Sequence, residues 1–288
     1  MSKLFDDMQD AARNSAARPG ESQALAQLLE SVSTDTEAAR EATSTTLQGC
    51  RRLEMLPLQR PFLPASDETP ATHGAFEAYR ALRTKLVRFQ SVEGVRSVVV
   101  TSAEAGEGKT VSVMNLALSL AQLPGQRVLL IDADLRTSGL SKATGALETP
   151  GLAEVLAGEA PFESALVSTN VQNLYIVGAG EARKPAGDLF AGPGFKEFIG
   201  WCNQTFSMVL VDCPPMTGLA DFDVVSAACD GVLMVVRARK TKRELLTDLV
   251  PQLRGKKLLG VLLNGQERQH RKTRYGYYYS KIGVRQPN

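Results

Sequence analysis

The sequence predicts an α/β protein with a mostly parallel β-sheet and helices on both of its faces. Short apolar runs recur along the chain, and they are continuous rather than alternating, which is typical of strands buried on both faces. Segments with helical spacing separate these runs, and such alternation predicts βαβ units. Polar residues follow several runs, where the carboxyl ends of parallel strands would gather ligand-binding groups. The predicted strands are 97–101, 128–131, 173–177, 207–211, 231–236 and 258–263.

The first 72 residues differ from the rest in composition. They contain seven Lys or Arg against eleven Asp or Glu, a balance of −4 that leaves +6 for the remainder. Residues 21–30 have the leucine spacing of one amphipathic helix, and four prolines follow between 57 and 70. We therefore expect a mostly disordered arm and linker at 1–72, with a plain linker favoured over a partner-docking motif.

The composition argues against a zinc-binding, a membrane-spanning or a secreted protein. Hydrophobic residues make up 43% of the 288 positions, which is enough for a sizeable core. The four cysteines lack metal-binding spacing, so they predict reduced thiols rather than a zinc site. No apolar run approaches the roughly 20 residues that span a bilayer, and the acidic start of the chain lacks a signal-peptide core. We expect a soluble cytoplasmic protein whose membrane link comes through a partner.

A helix is predicted from Gly74 to Gln90, because apolar side chains recur there at steps of three and four. Glu77, Arg80 and Arg83 stand on an adjacent arc of the same helix. The plain interpretation is a solvated face with one local ion pair, worth about a few tenths of a kcal/mol. The alternative is a contact surface for another subunit.

The stretch from Ser97 to Thr110 is the most informative in the chain. A β-branched run leads into a short loop with two glycines, and a helix is predicted from Val111 to Gln122. This is the pattern of a P-loop, in which glycines let successive N–H groups point at phosphates. Ala103 stands where the pattern usually has glycine, and an ordinary strand-turn-helix is the less favoured interpretation. The predicted nucleotide contacts are Ala105, Gly106, Glu107, Gly108, Lys109, Thr110 and Val111.

Carboxylates follow two of the apolar runs. Asp132 and Asp134 stand beyond the run 128–131, and Asp212 ends the run 207–211. Phosphoryl transfer needs a cation such as Lys109 at the β- and γ-phosphates, a hydroxyl such as that of Thr110 for Mg²⁺, and carboxylates. Such carboxylates hold the metal or accept a proton from the nucleophile. Helix N-capping is the structural alternative for each aspartate.

Four further helices are predicted, at 150–157, 193–203, 221–228 and 241–253. The last begins with Thr241 and has Glu244 three residues on, which is the pattern of a capping box.

The segment 265–288 is basic and rich in tyrosine. It holds six Lys or Arg and one Glu, a balance of +5, and it has no apolar periodicity. Four of the six tyrosines of the chain lie here, at Tyr275, Tyr277, Tyr278 and Tyr279. We expect a flexible tail. Binding of nucleic acid by this basic aromatic segment is a disfavoured alternative, since no folded groove is predicted around it.

Together these motifs resemble the bacterial protein-tyrosine kinases (BY-kinases) of capsular and exopolysaccharide assembly, over about residues 74–280. The P-loop resembles the Walker A motif of that family, and Asp132 and Asp134 resemble its A′ motif. Asp212, in Val211-Asp212-Cys213-Pro214-Pro215, resembles its Walker B motif, although the family often has Thr where Cys213 stands. The tail resembles its tyrosine cluster, and Glu77-x-x-Arg80-x-x-Arg83 resembles its EX2RX2R segment. The implied fold is a P-loop NTPase of the MinD/ParA-like type.

The resemblance implies an ATP- and Mg²⁺-dependent protein-tyrosine kinase. Its implied catalytic residues are Lys109, Asp132, Asp134 and Asp212, with Asp132 favoured as the base. Thr110, Asp134 and Asp212 are the implied metal ligands, and Asn264 is an implied adenine contact. Phosphorylation of the four tail tyrosines would run in trans within a ring built through Glu77, Arg80 and Arg83.

Two other functions are the alternatives to a kinase. A MinD/ParA-type positioning ATPase would typically have an extra P-loop lysine and a membrane-binding terminal helix, and neither pattern is found. A non-catalytic scaffold would not need the intact Lys109, Thr110, Asp132 and Asp212. The kinase interpretation therefore predicts three regions: an arm at 1–72, a kinase domain at 73–264 and a tail at 265–288.

The resemblance also implies partners. These are a membrane-spanning activator of the chain-length-determinant (Wzz-like) type, further copies of the chain, and an opposing tyrosine phosphatase, with no nucleic acid. The activator would recruit the cytoplasmic kinase to the inner face of the plasma membrane.

Overall fold

The computed structural model describes residue 47 and residues 49–55, 70–217 and 220–265. By its contacts the chain divides into two units, Met1–Arg51 and Arg52–Asn288. The sheet and the helices that concern us belong to the second unit, apart from Arg51 at the start of the first strand. The tail tyrosines, and most of the arm, lie outside the described residues.

An eight-stranded sheet forms the centre of the second unit, with strand order β1-β4-β5-β3-β6-β2-β7-β8. The central strands pair in parallel, β5 with β3, β3 with β6, β6 with β2, β2 with β7 and β7 with β8, whereas β4 runs antiparallel to β5. The strands are β1 (Arg51–Leu53), β2 (Ser97–Ser102), β3 (Val128–Asp132), β4 (Leu166–Thr169), β5 (Leu174–Val177), β6 (Met208–Asp212), β7 (Gly231–Arg237) and β8 (Leu258–Asn264).

Helices connect and cover these strands. They are α1 (Pro70–Glu93), α2 (Lys109–Ala121), α3 (Gly139–Thr144), α4 (Leu152–Leu156), α5 (Ala186–Phe190), α6 (Gly194–Thr205), α7 (Asp221–Ala227) and α8 (Arg243–Leu249), with 3₁₀ turns at Phe162–Ala165 and Val250–Leu253. No helix in the described part of the chain is both long enough and apolar enough to pass through a bilayer.

The core explains why the strand ends hold their positions. Every residue of β2, β3 and β6 is buried, as the continuous apolar runs predicted. Helix α2 packs its leucines and Met114 into the same cluster, together with Leu86 of α1. Because close-packed interiors yield little to local strain, this core is a rigid support for the loops at the carboxyl edge of the sheet.

The predicted fold class is confirmed, and its main strands lie within one or two residues of the predicted limits. Short elements were missed, namely β1, β4, α3 and α5, because they carry too few residues for a periodic pattern. Part of the predicted arm is folded: β1 and the first three residues of α1, which spans Pro70–Glu93, precede residue 73.

The predicted capping box at Thr241 is wrong. Helix α8 begins at Arg243, with Lys242 at its N-cap and no side-chain capping bond. The Thr241 hydroxyl instead donates to the carboxylate of Glu107 in the P-loop and accepts from the backbone N–H of Arg237. The Thr241 side chain therefore makes a tertiary hydrogen bond instead of capping the helix as the local pattern predicted.

Candidate active site

The P-loop joins β2 to α2 and occupies residues 103–108. Gly106 and Gly108 have φ values of 76° and 95°, the left-handed region that favours glycine. A Cβ on Gly108 would also collide with the side-chain amide of Asn264. Ala103 is fully buried, has no positive φ, and donates its N–H to Glu107 Oε2 at 2.9 Å. The conformation at this position therefore does not require the glycine that the pattern usually has.

Lys109, the first residue of α2, is buried against two aspartates. Its Nζ lies 3.0 Å from Asp134 Oδ2 and 3.6 Å from Asp212 Oδ1. Burial alone would lower the pKa of Lys109, but the charges of Asp212 and Asp134 outweigh it and raise the pKa. The lysine is therefore a charged group held inside the loop by carboxylates.

Asp212, at the end of β6, is fully buried and close to Thr110. The Thr110 hydroxyl donates to Asp212 Oδ2 at 2.6 Å. Within the described part of the chain, Asp212 Oδ1 accepts no hydrogen bond and has only the ammonium of Lys109 near it, at 3.6 Å. Burial raises the pKa of Asp212 to about 7, although Lys109 and the Thr110 hydroxyl lower it. A buried carboxylate with one oxygen unsatisfied is suited to a cation or a metal-bound water.

Asp132, at the end of β3, pairs in register with Asp212 across the parallel strands. Its Oδ2 accepts hydrogen bonds from the N–H and the hydroxyl of Ser141, at 2.8 and 2.7 Å. Among the described residues, its Oδ1 accepts only a longer bond, 3.2 Å, from the N–H of Asp134. Burial raises the pKa of Asp132, and the bonds from Ser141 offset part of that shift.

Asp134 differs from Asp132 in its electrostatics. Its Oδ1 accepts the N–H of Thr137 at 3.1 Å, and its Oδ2 accepts Lys109. Burial alone would raise its pKa, but the charge and hydrogen bond of Lys109 and the bonds from Thr137 hold the pKa of this carboxyl below its usual value. Two aspartates separated by one residue therefore differ in proton affinity.

Asn264 lies against the P-loop in this structure. Its Nδ2 donates to the carbonyl of Glu107 at 2.9 Å, and its Oδ1 accepts the N–H of Gly265 at 2.8 Å. Its role as an adenine contact remains a prediction. Val111 follows Thr110 in the first turn of α2 and is half-buried.

Glu77, Arg80 and Arg83 lie on α1, which packs against α2. Glu77 and Arg80 form an exposed pair at 3.1 Å, with about half of each side chain accessible. Arg83 turns inward and donates to the carbonyl of Ser119 on α2 at 2.8 Å. The structure therefore separates the three predicted contact residues into an exposed pair and an intramolecular contact.

Sequence reasoning missed several residues around the site. Ser141 fixes Asp132 and also accepts the N–H of Ala179 at 2.8 Å. Arg136 pairs with the buried Asp221 at 3.0 Å. Nothing in the local pattern of these residues could have indicated their roles, because each meets its partner only after folding.

In the described part of the chain, no three His, Cys, Asp or Glu side chains form a preformed metal site. Mg²⁺ commonly takes only one or two protein ligands and completes its shell with water and phosphate. The hydroxyl of Thr110 and the carboxylate of Asp212, which lie side by side, meet that requirement, so the residues present fit the metal.

Comparison with known proteins shows which family the chain belongs to. Residues 95–258 match the model of a family described as an AAA domain. The chain is 34% identical over 208 residues to the tyrosine-protein kinase YwqD of Bacillus subtilis (strain 168), covering 71% of this chain and 86% of the relative. Among solved structures, the BceF tyrosine kinase domain superposes with a TM-score of 0.60 at 30% identity, over 66% of this chain and 77% of that one.

The fold is shared more widely. The septum site-determining protein MinD of Pyrococcus horikoshii, complexed with Mg-ADP, superposes with a TM-score of 0.51 at 29% identity, over 61% of this chain and 72% of that one. The relationship implies nucleotide binding for the P-loop described above. The match to YwqD covers most of that tyrosine-protein kinase. The chain therefore belongs to the bacterial protein-tyrosine kinases of the BY-kinase family and is itself a protein-tyrosine kinase.

Proposed function

We propose that this kinase transfers the γ-phosphoryl group of ATP to the tail tyrosines Tyr275, Tyr277, Tyr278 and Tyr279, and thereby regulates polymerisation and export of a capsular or exopolysaccharide. The observation that carries the proposal is the buried cluster at the carboxyl edge of the sheet, in which Lys109 Nζ lies within 3.6 Å of two carboxylates directly behind the P-loop. The polysaccharide role rests on the family resemblance.

The residues of the cluster would divide the work of binding. The loop N–H groups from Ala105 to Val111 would bind the phosphates, and Lys109 would exchange its carboxylate partners for phosphate oxygens. Thr110, Asp212 and Asp134 would hold Mg²⁺, which neutralises phosphate charge when bound. Asn264, at the end of β8 beside the loop, would contact the adenine.

Asp132 is the favoured acceptor for the tyrosine proton. Its raised pKa makes it a stronger base than Asp134, and its Oδ1 accepts only the 3.2 Å bond from Asp134. Asp134 is instead compensated by Lys109. Wild-type tail phosphorylation by Asp132→Asn, or by Lys109→Met, would refute these assignments.

The kinase would act in trans within a ring. Glu77 and Arg80 are exposed on α1 and could exchange their mutual bond for bonds across an interface, which would be charge-assisted. Helix α1 packs on α2, whose first residue is Lys109, so such an interface would adjoin the helix that follows the P-loop. A double variant, Glu77→Ala with Arg80→Ala, should reduce the native mass, whereas Arg88→Ala on the same helix serves as the exposed control.

A mixing experiment tests the direction of transfer. A Lys109→Met subunit that retains its tyrosines is combined with an active subunit whose four tail tyrosines are Phe. The trans proposal predicts label on the inactive subunit. A mixture that co-assembles and leaves the inactive subunit unlabelled would exclude it.

Tail phosphorylation would in turn control assembly. The segment 265–288 carries +5, and four phosphotyrosines add about −6 to −8 at neutral pH. The reversed charge would be repelled by the carboxylates and bound nucleotide of a neighbouring site, over distances up to roughly 8 Å at physiological salt. A phosphatase would then restore the ring. Native mass of both forms, with the activator's cytoplasmic segment, is the test, and equal masses at low and physiological salt would refute it.

The partners and location follow from the same proposal. A chain-length-determinant (Wzz-like) activator would recruit the kinase to the inner face of the plasma membrane, and the regions 1–72, 73–264 and 265–288 would act as arm, kinase domain and tail. Localisation of a fluorescent fusion in cells with and without the activator tests the recruitment. Membrane localisation that persists without the activator would contradict it.

A further inference from the structure

Side chains from outside the P-loop hold three of its consecutive carbonyl groups. Lys240 Nζ donates to the carbonyl of Ala105 at 3.0 Å, and Arg237 Nη1 donates to the carbonyl of Gly106 at 3.1 Å. Asn264 Nδ2 donates to the next carbonyl, that of Glu107, at 2.9 Å. Each of three successive peptide units is therefore fixed by a different donor.

A fourth contact ties the same loop through a side chain. The carboxylate of Glu107 is fully buried; it accepts the hydroxyl of Thr241 on one oxygen and the N–H of Ala103 on the other. We call the four external residues, Arg237, Lys240, Thr241 and Asn264, the collar. They come from the last residue of β7, from the β7–α8 connection and from the end of β8.

The collar has a firm base of its own. The N–H of Lys240 and the N–H of Thr241 both bond to the carbonyl of Arg237, at 3.2 and 3.0 Å. The N–H of Ala238 bonds to the carbonyl of Asn264 at 2.8 Å, which links the connection to β8. The donors therefore approach the P-loop from a hydrogen-bonded support rather than from a loose loop.

The geometry of the peptide bond gives these contacts a consequence for phosphate binding. In a trans peptide the C=O and the following N–H point in opposite directions. Fixing the carbonyls of Ala105, Gly106 and Glu107 toward the collar directs the N–H groups of Gly106, Glu107 and Gly108 away from it. Those N–H groups belong to the part of the loop assigned above to the phosphates. The side-chain donors of the collar would therefore set the direction in which the N–H groups of the loop point.

We propose that the collar is a set of positioning residues that preorganises the phosphate-binding N–H groups of the P-loop, with Arg237 and Lys240 as its charged members. The inference deepens the proposed nucleotide site and rests on it. Neither cation needs to touch the nucleotide. Preorganised donors bind more tightly because the ordering cost is met before the ligand arrives.

The chain supplies a matched control. Lys242 carries the same charge two residues after Lys240, is exposed, and has no role in the collar contacts. Lys240→Met and Lys242→Met remove the same charge from the same connection, so long-range attraction for an anionic nucleotide changes almost equally in both. Only Lys240→Met removes a hydrogen bond to the P-loop.

The experiment measures the Kd for Mg-ADP of the full chain by calorimetry, at low and physiological salt, together with the urea midpoint of each variant. Lys240→Met is expected to weaken binding about tenfold at both salts, which is about 1.4 kcal/mol. Lys242→Met should change Kd by less than about twofold, the size expected for a screened surface charge, and both variants should unfold at the wild-type midpoint.

An uncharged variant gives a second measurement. Thr241→Val removes the hydroxyl bond to Glu107 without changing charge, and Thr247→Val is its control, because Thr247 donates only to the carbonyl of Arg243 on the exposed side of α8. Equal weakening by Lys240→Met and Lys242→Met that disappears with salt would overturn the collar, as would wild-type Kd in both Lys240→Met and Thr241→Val. If Lys109→Met bound Mg-ADP as tightly as the wild type, the nucleotide site itself would be wrong.

Discussion

Replacing Asp212 with Asn should make the kinase more stable at neutral pH, although it removes a proposed catalytic group. Asp212 is fully buried at the end of β6, and burial raises its pKa from 3.8 to about 7. The variant keeps the acceptor for the Thr110 hydroxyl, leaves Lys109 paired with Asp134 at 3.0 Å, and removes the cost of ionising a buried carboxyl. A raised carboxyl pKa favours folding most at low pH, where the protonated form is retained, and that stability is lost as pH rises toward 7.

The magnitude follows from the two pKa values. Between about pH 5 and pH 7 the unfolded carboxyl has released its proton and the folded one has not. Each pH unit then removes about 1.4 kcal/mol from the free energy of unfolding, so the loss over the interval is at most about 3 kcal/mol. Asp212→Asn should lack this decline.

Urea unfolding of the nucleotide-free wild type and of Asp212→Asn, at several pH values across that interval, measures the difference. Groups common to both proteins cancel in the comparison. Asp188→Asn on α5, which removes an exposed carboxylate, controls for net charge. If the advantage of Asp212→Asn did not grow with pH, or if Asp188→Asn behaved in the same way, the electrostatic account of this carboxylate would be refuted.

Three other predictions concern the site directly. Binding of Mg-ADP should tighten as pH rises from about 6 to 8, because the metal needs the ionised form of Asp212; calorimetry showing a pH-independent Kd would contradict this. Ser141→Ala removes the hydroxyl bond to Asp132 and should lower kcat by about tenfold or more with little change in the KM for ATP, whereas a rise in KM alone would argue against Asp132 as the base. Gly108→Ala should abolish nucleotide binding, because its φ of 95° disfavours any Cβ and the Asn264 amide occupies that space; binding within about twofold of wild type would show that the loop rearranges.

Strands buried on both faces of the sheet were predictable from the sequence. Strands β2, β3 and β6 lie between other strands and under helices, so their residues had to be apolar throughout. The positions of Asp132 and Asp212 followed, since parallel strands end at the same edge. Strands β1 and β4 could not be found in the same way, because strands of three and four residues are too short for a pattern and owe their conformation to their neighbours.

The sequence predicted the central side chains of the candidate site but not the residues that hold them in position. Lys109 and Thr110 were identified by spacing, and the structure brings them together with the predicted aspartates. The residues that position the site were not predicted. Ser141, which bonds to Asp132, lies nine residues beyond it on a different element. Thr241 has a local capping pattern, but in the folded chain it bonds to Glu107 instead. Contacts of long sequence separation leave no local pattern, so a structure is needed to find them.

The most direct test of the central claim is site-resolved phosphotyrosine mapping by mass spectrometry after incubation of the full chain with ATP and Mg²⁺. The account predicts phosphate on Tyr275, Tyr277, Tyr278 or Tyr279 in the wild type, its loss when all four are Phe, and a fall on the order of a hundredfold or more in Lys109→Met. Tail phosphorylation at the wild-type rate in Lys109→Met, or an unmodified tail in an activator-bound wild type that hydrolyses ATP, would contradict it.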